Sequence, residues 1–184
     1  NYIGGGEESY GFLCEDFVRD KDAVSACAVL AEIAAWAKDQ GMSMYQLLQK
    51  IYVEYGFSKE KGISVVKKGK SGAEEIEAMM KHFRENPLKE IAGSKVTYFY
   101  DYSTLKGIDY LENETLTLDM PVTSNVLQFF TEDGTKVSIR PSGTEPKIKF
   151  YCEVHSKVNS VEELDAADKA ATEKIEAIKA SLGI

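Results

Sequence analysis

Between Thr135 and His155 apolar and polar residues alternate on both sides of one tight turn. Val137 and Ile139 precede the turn, and Ile148, Phe150, Cys152 and Val154 follow it. Alternation with period two describes a strand that gives one face to a core and the other to water. Two such runs joined by a short turn pair as antiparallel neighbours. This stretch therefore commits the chain to a sheet with one buried face. Ser138, Arg140, Lys147, Lys149 and Tyr151 fall on its outward side.

The rest of the chain supplies what such a sheet needs. Val96 to Tyr102 alternates β-branched and aromatic residues and predicts a strand, as does Ile63 to Val66. Val126 to Thr131 and Thr135 to Arg140 predict two more, joined through Asp133-Gly134, a strong hairpin signal. Lys147 to His155 is the last strand. Ser71, with Glu74 three residues on, predicts the start of a helix that buries Ile76, Met79, Met80 and Phe83 and stops at Asn86-Pro87. Ser160 and Glu163 form the same capping pattern before a closing helix, with Val161, Leu164, Ala171, Ile175, Ile178 and Leu182 as its stripe. Strands paired as hairpins, with helices on one face, make an α+β domain.

Upstream the pattern is different. Residues 22–39 are nearly continuous in Ala, Val, Leu, Ile and Trp, which predicts a helix buried on most sides. Gly41 ends it, and Ser43 with Gln46 caps a second helix with Met44, Leu47, Leu48, Ile51 and Tyr55 on one face. Phe57 to Gly62 is short and polar and is the expected boundary, giving segments 1–57 and 58–184.

Composition excludes several functions. Thirty acidic against 22 basic residues, a formal charge of −8, disfavours nucleic acid, which requires a basic footprint. Cys14, Cys27 and Cys152 are scattered, without C-x-x-C spacing, and fit reduced thiols in a cytoplasmic protein. No apolar run is long enough for a membrane span. His82 and His155 lack metal-ligand spacing. Gly69-Lys70-Ser71 lacks the upstream glycine of a nucleotide-binding loop, since position 64 is serine.

Against this acidic background the turn Arg140-Pro141-Ser142-Gly143-Thr144-Glu145-Pro146 is unusual. Arg140, Ser142, Thr144 and Lys149 fall on one side of it. Gly143 is expected to let the backbone turn sharply and expose successive N–H groups as an anion-binding nest. Arginine suits phosphate because its planar fork donates two parallel hydrogen bonds. Glu145 is the discordant charge, compatible with an anion if it points away. A surface hairpin with solvated charges is the plain alternative.

Arg140-Pro-Ser-Gly-Thr-Glu-Pro-Lys-Ile-Lys-Phe-Tyr151 resembles the phosphate-binding loop in the last domain of the α-D-phosphohexomutases, the phosphoglucomutase/phosphomannomutase family. Gly5-Gly-Glu-Glu-Ser-Tyr-Gly11 resembles the sugar-recognition loop of the same family, at the expected distance upstream. The pair covers the chain as the tail of a third domain, 1–57, and a fourth, 58–184, whose fold the resemblance implies to be TATA-box-binding-protein-like. It implies that Glu7 and Ser9 grip adjacent sugar hydroxyls and that Lys21, in Arg19-Asp-Lys-Asp22, approaches the sugar. Glu8 and Tyr10 shape that loop. The phosphate falls to Arg140, Ser142, Gly143, Thr144 and Lys149.

The activity implied is interconversion of hexose 1-phosphate and hexose 6-phosphate through a bisphosphorylated sugar and an enzyme phosphoserine. Hexose phosphate is the implied substrate, and a bisphosphorylated hexose the activator. Neither the serine loop nor the aspartate-rich magnesium loop of the family occurs in these 184 residues. The chain is therefore expected to be a piece of a longer protein, to hold no catalytic residue or metal of its own, and to be inactive alone. Its Mg2+ would be bound by an N-terminal domain of the same protein. A pentose or amino-sugar mutase, or a free-standing phosphosugar-binding module, are the alternative readings.

Overall fold

The computed structural model describes residues 3–6, 11–14, 20–67 and 69–184, with the side chain of Lys70 left aside. The described chain forms two compact units, divided between Tyr55 and Gly56.

In the first unit, strands β1 (Gly4–Gly6) and β2 (Phe12–Cys14) form an antiparallel ribbon, and helices α1 (Ala23–Asp39) and α2 (Met44–Tyr55) follow. The Asp22 carboxylate accepts from the amides of Val24 and Ser25 at 3.0 and 3.1 Å and caps α1. Ser43 and Gln46 complete a reciprocal capping box, side chain to amide in both directions, at 3.2 and 2.8 Å. Gly41, at φ +71°, lies between the helices in the left-handed region. The expectation that α1 is buried does not hold: Ala37 is its one buried residue, while Val24 is 80% and Trp36 50% exposed. A helix apolar on most sides needs cover on most sides, and among the described elements β2 and α2 are the principal ones against it.

The second unit is built on an antiparallel sheet of β3 (Phe57–Val66), β4 (Glu90–Ile91), β5 (Ser94–Asp101), β6 (Lys106–Asp109), β7 (Glu114–Thr117), β8 (Leu127–Thr131), β9 (Lys136–Pro141) and β10 (Lys147–Ser156). Its order is β3-β10-β9-β8-β5-β6-β7, with β4 pairing β5. Helices α3 (Gly69–Glu85) and α4 (Leu164–Leu182) pack on β10. This is the α+β arrangement that the alternation predicts. Val137, Ile139, Ile148 and Phe150 are fully buried, and the Phe83 ring of α3 meets the Phe150 ring edge-on at 6.3 Å. From α3 come Ile76, Met80 and Phe83, and from α4 Leu164, Ala171, Ile175, Ile178 and Leu182.

Four local expectations are corrected. Phe57 to Gly62 is not a polar connector but the first half of β3, which pairs β10 from Phe57↔Ser156 to Val66↔Lys147. An edge strand with charges such as Lys59 and Lys61 reads as a loop, because edge strands carry charge to resist further pairing. Ser71 does not cap α3, which already begins at Gly69. Ser160 makes no side-chain cap either; Glu163 instead accepts from the Asn159 amide at 2.8 Å, and a 3-10 turn (Val161–Glu163) precedes α4. Val161, 43% exposed, drops out of the buried stripe.

The Asp133-Gly134 hairpin forms as expected, with Gly134 at φ +81°. Asp133 accepts from the Thr131 hydroxyl at 2.7 Å and the Thr135 amide at 3.2 Å, and pairs with Lys174 of α4. Burial alone would raise its pKa, but these donors hold its carboxyl well below the usual carboxylate range. Cys152 is a small apolar filler, with its thiol pushed up to about 11 by burial. Replacing Phe150 with alanine should cost about 3–5 kcal/mol, because it removes a ring that α3 closes over. Denaturant unfolding measures this, and a loss below about 1 kcal/mol would contradict the assigned core.

Candidate functional site

The turn between β9 and β10 grows directly out of strand register. Arg140 pairs Lys149, and Pro141 pairs Ile148, so the two cations are cross-strand neighbours on the face away from the core. Beyond this ladder the Ser142 amide donates to the Lys147 carbonyl at 2.7 Å, and the Lys147 amide to the Glu145 carbonyl at 2.7 Å. The Pro146 carbonyl accepts from the Lys67 amide at 2.9 Å, which ties the turn to the end of β3.

Ser142 organises the turn from inside. Its hydroxyl oxygen accepts from the amides of Thr144 and Glu145 at 3.4 and 3.3 Å. These long contacts draw two backbone N–H groups toward one point and leave the hydroxyl proton available to donate. The Gly143 amide has no hydrogen-bond acceptor among the described residues. Neither does the Arg140 guanidinium, which engages no ion pair or hydrogen bond among them. Both residues line one recess.

The turn is a wall between two concavities. On one side a recess of about 400 Å3 is lined by Arg140, Ser142, Gly143, Thr144, Lys147, Lys149 and Tyr151. The Lys149 ammonium lies 5.8 Å from the centre of the Tyr151 ring. On the other side a larger space of about 880 Å3 lies between the turn and α3, over Ile76 and Met80. Its polar rim includes Arg84, which donates to Asp101 at 3.0 Å and to Asn125 at 2.9 Å. Burial would raise the Asp101 pKa, but the Ser103 hydroxyl and amide and the Arg84 charge lower it below the usual value. Arg84 is thereby committed to holding α3 against the sheet.

The recess thus gathers Arg140, Ser142, Gly143, Thr144 and Lys149, as the sequence predicts, and adds Lys147 and Tyr151, which sequence reasoning did not single out. The signal for both was present: each alternates with a buried residue and so faces outward with Lys149. Glu145 resolves its discordance by pairing with Lys147 at 2.7 Å. That ammonium holds the Glu145 carboxyl below its usual range, with Lys149 adding to the effect. The role expected of Gly143 is corrected: its φ is not in the left-handed region, and a Cβ there would meet nothing within 4 Å. The turn does not require glycine for its backbone.

The sugar-loop residues Glu7 and Ser9, with Glu8, Tyr10 and Arg19, lie outside the described residues. Lys21 belongs to the first unit, where its ammonium is 3.1 Å from Asp20 and its stem lies across Gly11. His155 pairs with Glu153 at 2.7 Å. Among the described residues no group of three or more His, Cys, Asp and Glu could hold a metal ion, and no helix is long and apolar enough to cross a membrane.

Comparison with known proteins adds an independent line. Residues 64–171 match the family model of the phosphoglucomutase/phosphomannomutase C-terminal domain, and residues 1–55 match that of alpha/beta/alpha domain III of the same family. The chain is 41% identical over 151 residues to a phosphoglucomutase of Staphylococcus aureus, covering 82% of this chain and 27% of that protein. It is 39% identical over 145 residues to one from Staphylococcus haemolyticus, covering 79% and 26%. The chain therefore spans about a quarter of the length of these relatives. A solved structure, the open form of the exocytosis-sensitive phosphoprotein pp63/parafusin (a phosphoglucomutase) from Paramecium, aligns with TM-score 0.48 and 18% identity, over 92% of this chain and 29% of that one.

Gly143→Ala tests the corrected role of that residue. With open space around the Cβ and an ordinary backbone, stability should change by no more than about 0.5 kcal/mol. A thermal melt reads this, and a clear loss of stability would mean that the turn depends on glycine after all.

Proposed function

Because the chain belongs to the phosphoglucomutase/phosphomannomutase family, we propose that it is the ligand-gripping part of an enzyme that interconverts hexose 1-phosphate and hexose 6-phosphate. The supporting observation is the in-register pair Arg140 and Lys149, set around one recess with the Ser142 hydroxyl and the Gly143 amide. A phosphate dianion in that recess would meet the Arg140 guanidinium and the Gly143 amide, neither of which is engaged by the described residues. Each charge-assisted hydrogen bond contributes about 1.5–3 kcal/mol net, so three or four hold a phosphate group firmly.

In this reading the recess holds the phosphate that is not being transferred. A phosphoserine elsewhere in the full protein gives its phosphoryl group to the free end of the sugar, making a bisphosphorylated intermediate. The intermediate turns end for end and returns the other phosphoryl group to the serine. Arg140, Ser142 and Thr144 must therefore grip a phosphate in both orientations. Glu7 and Ser9, with Lys21, would accept the sugar hydroxyls either way round. Contacts this far from the reacting atoms act by orientation, fixing the distant end so that the near end meets the donor. Magnesium belongs to the family chemistry, but the described residues do not fit it, and no step assigned to this part of the chain runs through a metal.

In the full-length enzyme Arg140→Ala should lower kcat/KM by about 100-fold, the loss expected for a bidentate contact worth about 3 kcal/mol. Arg140→Lys should recover only part, since a lysine carries charge without the planar fork. Because the same recess serves both orientations, forward and reverse reactions should fall together. Steady-state kinetics in both directions decide it. Near-normal values for Arg140→Ala would leave the turn as a solvated hairpin.

A further inference from the structure

We propose that Lys147 is an additional ligand of the phosphate, and that Glu145 is an internal counter-anion which Lys147 leaves when phosphate enters. The proposal rests on reading the turn as the phosphate site. It assigns a third cation to that site and gives the one carboxylate of the turn a task.

The geometry is asymmetric. Lys147 begins β10 and is fixed in register opposite Val66, with its side chain only 25% exposed. Glu145 sits on the turn, its side chain 61% exposed, and Lys147 is the only charged partner of its carboxylate within ion-pair distance among the described residues. Lys147 lines the smaller, basic recess, whereas Glu145 lines the larger space on the α3 side of the wall. The ion pair thus bridges the edge of the turn, with its cation already at the recess and its anion outside.

An exposed ion pair is a weak competitor for its own cation. A phosphate dianion offers more charge and three acceptor oxygens, with Arg140 and Lys149 already arranged beside it. The exchange releases Glu145 into water, where its solvation is fully restored. Without the ligand Glu145 offsets the charge of Lys147, which lines the same recess as Lys149 of its own strand and Arg140 of the next, three cations in all. With the ligand all three face it. Two consequences follow. The recess should prefer a dianion to a monoanion, and Glu145 should weaken phosphate binding through Lys147 and not merely through its general charge.

The test uses inorganic phosphate as a competitive inhibitor of the full-length enzyme, with the KM for the hexose phosphate measured alongside. Lys147→Met, which keeps the aliphatic stem, should raise the inhibition constant about tenfold, and Lys147→Arg should restore most of the affinity. Glu145→Gln should lower the constant about threefold, as the cation is released from its competitor. Combined with Lys147→Met, Glu145→Gln should have almost no further effect, because its route to the ligand is gone. Melting temperatures check that each variant is folded.

An unchanged constant for Lys147→Met, with Arg140→Ala strongly impaired, overturns this proposal and leaves the phosphate site standing. An equal gain from Glu145→Gln in both backgrounds overturns the exchange, since the carboxylate would then act through space alone. If Arg140→Ala also leaves phosphate inhibition untouched, the underlying reading of the turn fails with it.

Discussion

Strand β10 is hydrogen-bonded along its length to β3 on one side and over most of it to β9 on the other, and both long helices of the second unit lie on its inner face. Ile148, Phe150, Cys152 and Val154 are locked into that core. The side chains between them have no freedom to choose a face: a register slip by one residue would put four apolar side chains into water and the lysines into the core. The positions of Lys147, Lys149 and Tyr151 are thus set by the burial of their neighbours. The ends of two interior strands are a better base for orienting a ligand than a long loop would be, and here the loop between the strands is short and pinned at both ends.

The turn itself is held by backbone hydrogen bonds and by the Ser142 hydroxyl oxygen, without using the Arg140 guanidinium. Ser142 serves as acceptor for two backbone amides, and its proton stays free to donate. Arg84 pairs with Asp101 and also donates to Asn125, and so anchors α3 behind the wall. Lys174 and Asp133 do the same for α4 at the far end of the β8–β9 hairpin. These two ion pairs lie apart from the recess, whereas Lys147–Glu145 stands at its edge.

Much of this was legible in the sequence where one physical signal dominates. Alternation located β5, β8, β9 and β10 and the faces of Arg140 and Lys149, and Asp133-Gly134 marked its hairpin. The capping box at Ser43 and Gln46 was readable because it is purely local. The failures have physical causes too. The polar half of β3 is a strand only because β10 needs a partner, which no local pattern expresses. The short β6–β7 hairpin, with Asn113 at positive φ in its turn, carries little alternation of its own. Ser160 and Glu163 have capping spacing, yet the 3-10 turn re-aims Glu163 toward Asn159. The apolar composition of α1 predicts burial, but burial depends on neighbours, which composition does not express. At the turn, the residue types pointed to phosphate, whereas the partner of Glu145 required coordinates.

The central claim is that the Arg140–Lys149 recess receives the phosphate that is not being transferred. A crystal structure of the full-length protein with a hexose 1-phosphate bound tests it most directly. The account predicts a phosphate group within hydrogen-bonding distance of the Arg140 guanidinium and the Ser142 hydroxyl, on the side of the turn that faces away from α3. A bound sugar phosphate that leaves this recess to water, with its phosphate held by other residues, would contradict it.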